Sequence, residues 1–179
     1  MRTGKLLLML SVITVLLLTS VPVSAKATRT SISITEYVCM NTPGQEWVAG
    51  NVYHLRGQIH ENVMVVEGEI WAINTAKIDL DFNLATGQLV GRGYADIMPV
   101  GANGGYTGVG AFRFYGAGAK PLIGAGSLQG YGDLKGQFLS LDLLGESLPP
   151  DPVGDAYCAG HGDYFSTSFW SGYILRTDN

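Results

Sequence analysis

The chain is predicted to be all-β, an antiparallel sheet of about eight strands closed into a barrel. Three observations carry that prediction. Between Ala76 and Leu84, the residues Ala76, Ile78, Leu80, Phe82 and Leu84 alternate strictly with Lys77, Asp79, Asp81 and Asn83. A period of two puts one face of a strand in the core and the other in water. Segments with related alternation recur along the chain, separated by Gly, Pro and Asn, which is the spacing of a sandwich or barrel rather than of βαβ units. No window carries a helical stripe, and 24 of the 25 glycines lie after position 25, where they interrupt every candidate helix.

Taken in order, the amino terminus reads as a leader rather than a strand. Arg2 and Lys5 precede an apolar run from Leu6 to Leu18, followed by Ser20, Pro22 and the small-residue triplet Val23-Ser24-Ala25. Basic residues, a short apolar core and a V-x-A site predict a signal peptide over 1–25, cleaved after Ala25. The alternative is an uncleaved anchor, but the run is interrupted by Ser11 and Thr14 and falls short of the ~20 residues that a spanning helix needs. No Cys follows the small residues, so a lipid anchor is not expected. The expected destination is secreted or periplasmic, and residues 26–179 form a single barrel domain.

Strands are expected at Ile32–Met40, Val52–Ile59 and Val63–Val66, then at Ala76–Leu84. Thr86-Gly87 supplies a turn into Leu89–Met98. Tyr106–Tyr115, Leu122–Leu128, Gln137–Leu143 and Phe165–Leu175 follow, with Phe165, Phe169, Tyr173 and Leu175 sharing the apolar face of the last. The stretch Pro149-Pro150-Asp151-Pro152-Val153-Gly154-Asp155 reads as a loop, because its prolines cannot continue a ladder. The pattern G-x-L-x-G occurs at Gly87–Gly91, Gly126–Gly130 and Gly132–Gly136, and Gly91/Gly93 and Gly108/Gly110 pair at spacing two. Strand faces stripped of side chains permit tight coiling, which favours a barrel over a sandwich.

Charge and cysteines narrow the function classes. Without Arg2 and Lys5, nine basic side chains stand against fifteen acidic ones, a net charge of −6. Such a chain has no electrostatic reason to bind nucleic acid or anionic lipid, and neither nucleic acid nor membrane is an expected partner after cleavage. In an oxidising compartment Cys39 and Cys158 most simply pair. The chain-entropy model assigns such a long loop about 4–5 kcal/mol. Two free buried thiols are the alternative.

Met98-Pro99-Val100 and the run Gly108-Val109-Gly110-Ala111-Phe112-Arg113-Phe114-Tyr115-Gly116 resemble the glycine-rich hairpin of dirigent proteins. The run from Gly124 through Gly126-Ser127-Leu128-Gln129-Gly130 to Gly136 is similar to the corresponding region of allene oxide cyclases and their bacterial barrel relatives. The resemblance implies an eight-stranded antiparallel barrel of the calycin or allene-oxide-cyclase kind, with an apolar central cavity. Gly116 comes one residue early for the dirigent pattern, and an insertion over Gly101–Tyr106 splits the segment. The families' catalytic acids have no counterpart that can be placed here, so none is carried over. The lipocalin G-x-W signature is absent, since two residues separate Gly44 from Trp47.

Among residues that carry chemistry, Glu36 stands out. By strand parity it shares a face with Ile32, Ile34 and Val38, and a carboxylate on a dry face can serve as acid, base or ligand anchor. A bulge nearby would instead turn it outward. His54, Arg56, Gln58 and His60 read as the solvated face of one strand, with the two histidines ~20 Å apart and too distant for one ion. His161 with Asp155 and Asp163, and Asp151 with Asp155, have metal-binding chemistry but no recognised spacing, so no metal or cofactor is expected. Trp71, Tyr94, Tyr106 and Trp170, together with Trp47, are aromatics that either line a ligand cavity or fill the core. The resulting expectation is a secreted barrel holding a small, mostly apolar molecule. The alternatives are a barrel isomerase or cyclase acting on a small hydrophobic substrate, with Glu36 as its first candidate residue, and a structural or adhesive module. Oligomeric state and ligand identity are open.

Overall fold

The computed structural model describes residues 27–115, 123–148 and 150–177. The expected leader over 1–25 with its cleavage site, and Gly116 of the glycine-rich run, lie outside the described residues. Nine strands follow one another: β1 (Ala27–Thr42), β2 (Gln45–Ala49), β3 (Val52–Val66), β4 (Glu69–Asn83), β5 (Gln88–Pro99), β6 (Tyr106–Tyr115), β7 (Ile123–Gly130), β8 (Gln137–Ser147) and β9 (Asp163–Thr177). All pairings are antiparallel, in the order β1-β9-β8-β7-β6-β5-β4-β3-β2, and β1 also pairs with β3. The sheet is thus a closed eight-stranded barrel with β2 outside, laid on the Val52–Arg56 end of β3.

The alternating segment behaves as its pattern requires. In β4, Ala76, Ile78 and Leu80 point inward while Lys77, Asp79 and Asp81 point out. The chain reverses from β3 into β4 on Glu67 and Gly68, both at positive φ, the conformation of a two-residue turn that matches strand twist.

Five one-residue irregularities bend the strands. They fall at Asn41 in β1, in β3 between Leu55 and Gln58, at Trp71 in β4, at Leu144 in β8 and at Phe165 in β9. Each inserts an unpaired residue and so reverses which residues beyond it face inward. The two expected strands Val52–Ile59 and Val63–Val66 are one strand, β3, because His60, Glu61 and Asn62 pair regularly with β4; the irregularity falls at Gly57 (φ 69°), within the first of them.

Two further expectations are corrected. In β9 the inward residues are Ser166, Ser168, Trp170, Gly172 and Ile174, while Phe169 is 42% exposed on the outer face. Apolar alternation misidentified the inner face there because two serines and a glycine interrupt its apolar residues Trp170 and Ile174. The expected loop after Pro150 contains a short helix, α1 (Pro152–Cys158). Asp151 caps it by accepting from the Val153 N–H at 3.0 Å, and Pro152 occupies its first position, where no amide donor is needed.

Two apolar clusters hold the molecule. Inside, at the end carrying the Glu67–Gly68 turn, Ile34, Met64, Ala72, Ile97, Tyr106, Leu128, Leu139, Leu141 and Ile174 fill the barrel. Outside, α1 packs on the outward residues Tyr37, Cys39, Val63 and Tyr164, with Tyr37 and Tyr157 stacked at 4.4 Å. Cys158 at the end of α1 is bonded to Cys39, with a Cα–Cα distance of 5.4 Å. The link ties the first strand to the segment before the last, and those two strands are themselves neighbours in the barrel. Among the described residues, no helix is long and apolar enough to cross a membrane.

Candidate functional site

The packed core occupies only one end of the barrel. Toward the other end, where β8 leads to α1, the interior opens into a cavity of about 350 Å³. Its apolar wall comes from β4 to β8, including Ile78, Leu80, Leu89, Phe112 and Leu143. Gly93, Gly110 and Gly126 leave that wall without side chains, which makes the space. At Gly91 a side chain would collide with the ring of Phe112, so the absence of a Cβ there lets that ring lie across β5.

The opposite wall is polar. Glu36, 4% exposed, faces inward on β1, as strand parity allows and without the bulge that would have turned it outward. Its Oε1 accepts from Asn62 Nδ2 and Asn74 Nδ2, both at 2.8 Å, and its Oε2 accepts from Trp170 Nε1 at 2.7 Å. Asn62 is oriented by its own Oδ1, which accepts from the Cys39 N–H at 3.2 Å. Three convergent N–H donors suit a carboxylate, which accepts on both oxygens.

His60 sits one strand pair away, on the same inward row as Gln58 and Asn62. It is 2% exposed, and neither ring nitrogen has a hydrogen-bond partner. Burial pushes its pKa down to about 4, so the imidazole is neutral at ordinary pH. The Oδ1 of Asn74 is likewise buried and unpartnered. Buried polar atoms are nearly always paired, so three orphans in one cavity need a reason.

Glu146 completes the polar wall. Glu36, Ser168 and Glu146 lie in register across β1, β9 and β8. As a residue Glu146 is exposed at the cavity mouth, yet its carboxyl bonds the hydroxyl of Ser166, which has no exposure at all. That end is the part that titrates, and dehydration there raises its pKa. The Ser166 hydrogen bond opposes the rise, and the charge of Glu36 adds to it.

The structure distributes the residues singled out from sequence unevenly. Trp170 lines the cavity and bonds Glu36. Tyr94 reaches the cavity edge but is 51% exposed, with its hydroxyl bonded to Thr107. Tyr106 is fully buried in the packed end, where its hydroxyl donates to Gln137 at 2.7 Å, and Trp71 packs against the same core. Trp47 lies outside on β2, stacked on His54.

His54 and Arg56 are on the outer face, both bonded to Asp81 at 2.6 Å. The reading of Gln58 and His60 as part of that solvated face is corrected, because the irregularity at Gly57 carries both inside. His161 pairs with Glu61 at 2.8 Å. Among the described residues, no three His, Cys, Asp or Glu side chains, including Asp151, Asp155 and Asp163, gather as metal ligands would.

Sequence reading did not find His60, Asn62, Asn74 or Glu146. For His60 and Asn62 the available signal was Gly57 inside an otherwise regular strand, which marks a bulge and a reversal of faces. No protein-family model matches the chain, and no curated protein or solved structure matches it either.

Burial of a neutral His60 has a consequence for stability. The unfolded chain takes up a proton near pH 6.5, whereas the folded chain resists it until about pH 4. Stability is therefore full above pH 6.5 and falls as pH drops toward 4, by roughly 2–3 kcal/mol at pH 4.5. Glu146 works in the opposite direction, because its raised pKa makes the folded state the better proton acceptor near its titration. Urea unfolding at pH 7 and pH 4.5, on the parent and on His60→Gln, isolates the histidine. The variant is expected to lose most of the difference. An identical pH dependence in both proteins would show that His60 is not buried neutral.

Proposed function

We propose that the protein binds a small, mostly apolar molecule inside the barrel, with one polar group of that molecule meeting the wall around Glu36, His60 and Asn74. The observation that carries this reading is the set of orphaned atoms, His60 Nδ1 and Nε2 and Asn74 Oδ1, on residues that line the polar wall of a cavity whose other wall is apolar. A cavity kept only for packing would be filled by side chains or lined without polar groups. The resemblance of the glycine-rich runs to dirigent proteins and allene oxide cyclases supports the same reading. The leader-like amino terminus and the disulfide support its taking place outside the cytoplasm.

Uptake of a small, neutral, environment-sensitive dye such as 1-aminonaphthalene, which is uncharged at pH 7.5 and fits a cavity of this size, tests the proposal. Ala76 already points into the cavity beside His60, so Ala76→Phe fills the space from within. Dye uptake in the parent, weakened at least ~10-fold by Ala76→Phe, is the expected result, since the variant removes most of the apolar contact. Its melting temperature should stay near the parent's, because the new ring occupies empty volume. Absence of dye uptake, or equal uptake by a folded Ala76→Phe, would refute cavity binding. Native mass spectrometry of protein purified from its own source would weigh a retained ligand directly.

A second reading is supported by the carboxyl pair. Glu36 is held by three N–H donors, while Glu146 is dehydrated and raised. Two carboxyls in one cavity with different environments suit general acid and base roles. On this reading the barrel orients and isomerises or cyclises its hydrophobic substrate, with Glu146 giving a proton.

A further inference from the structure

The cavity's polar atoms do not balance. Its carboxylate Glu36 is met only by neutral N–H groups, and among the described residues no Lys or Arg lines the cavity. A buried carboxylate ordinarily has a cation beside it. Asn62 and Asn74 each give one amide hydrogen to Glu36, Trp170 gives its indole hydrogen to the same group, and Ser166 gives its hydroxyl to Glu146. No charged donor meets either carboxyl among the described residues.

Beside the one N–H of the neutral His60 ring, the wall offers acceptors: a free lone pair on Glu36, Asn74 Oδ1, the unprotonated nitrogen of His60, and the second oxygen of Glu146. Asn62 and Asn74 are register partners on β3 and β4, and His60 follows two residues before Asn62 on the same row, so these acceptors are neighbours. A ligand carboxylate would set acceptor against acceptor and anion against anion. An alcohol supplies one donor. An ammonium group supplies three donors and the missing positive charge.

We infer that the polar end of the ligand is a protonated amine and that the cavity takes an amphiphilic amine in preference to the matching alcohol or acid. The inference rests on the binding reading above and specifies the ligand class for that same cavity. At ~30 Å³ per non-hydrogen atom, the cavity has room for about a dozen such atoms. A ten-carbon chain is therefore a suitable probe.

Decylamine, decanol and decanoic acid, each below micelle-forming concentrations at pH 7.5, are tested for displacing the neutral dye. Decylamine is expected to displace it at least ~10-fold more tightly than decanol, the effect of one charge-assisted contact, with decanoic acid weakest. Glu36→Gln should reduce the preference for amine over alcohol by about the same factor. Glu146→Gln, at the mouth and without a role in the packed core, provides a second variant if Glu36→Gln folds poorly, and should reduce the preference ~3- to 10-fold. Decanol or decanoic acid binding as tightly as decylamine, with dye uptake intact, would overturn the amine assignment and leave cavity binding standing. An undiminished amine preference in the folded variants would overturn it too. Failure of the dye itself to bind would remove both.

Discussion

Glu36→Gln is expected to destabilise the folded chain by about 2–4 kcal/mol, seen as a lowered midpoint in urea with an unchanged slope. Strand parity alone argues the reverse. A carboxylate buried without partners costs stability, so neutralising it should leave the protein as stable or more so. The structure supplies the partners. Asn62, Asn74 and Trp170 all donate to Glu36. Glutamine replaces one of the two acceptor oxygens with an NH₂, so either Trp170 or the asparagine pair then faces a donor. The lost charge-assisted hydrogen bonds and the newly unsatisfied N–H outweigh the relief of desolvating one charge. The indole hydrogen bond gives a local readout, because Trp170 emission should shift when its acceptor changes. A Glu36→Gln protein as stable as the parent, with no change in that emission, would mean that the network does not hold Glu36 as described. Dye uptake measured on the same sample separates stability from binding.

Removing the disulfide, by Cys39→Ser together with Cys158→Ser, is expected to cost about 4 kcal/mol. The melting temperature should fall by roughly 10 °C, at the sensitivity of a chain of this size. The bond joins residues 119 apart in sequence, so breaking it returns a large loop entropy to the unfolded chain. It also frees α1. That helix has only seven residues and cannot persist alone in water. Without the bond, side-chain contacts such as those with Tyr37, Val63 and Tyr164 and the Thr167 hydrogen bond to Asp151 are left to hold it over the outer face of the barrel. Earlier hydrogen exchange in α1 than in β1 or β9 should therefore accompany the loss. A stability change under ~1 kcal/mol would contradict the entropic argument. Two titratable thiols in the unreduced parent would contradict the bond itself.

The sequence by itself determined the fold class, and the reason is local. Strict alternation in Ala76–Leu84 needs no long-range information to specify a strand with one dry face, and glycines at every break exclude long helices. Pairing of Cys39 with Cys158 was legible for a similarly simple reason, since two cysteines allow one intramolecular bond. For Glu36 the sequence offered strand parity with Ile34 and Val38 but left a bulge open; the structure places it inward because no irregularity intervenes between them. The resemblance to glycine-rich barrel families pointed to the same closed sheet, but it could not place a site.

Only the tertiary structure decided the rest of the polar wall. The irregularity at Gly57 brings Gln58, His60 and Asn62 inside, and the one at Leu144 sets Glu146 opposite Ser168. In β9 the inner face carries Ser166, Ser168 and Gly172 beside Trp170 and Ile174, so apolar alternation does not mark it, and Gly172 packs against the backbone of Ser140 with no room for a side chain. Tyr106 fills the packed end rather than the cavity because its strand enters the barrel at that end. A single inserted residue exchanges every inward and outward side chain beyond it, and whether a strand accepts that insertion depends on the curvature its neighbours impose. Curvature of a closed sheet is a property of all eight strands together, so no one segment of sequence could reveal which polar residues would meet in the cavity.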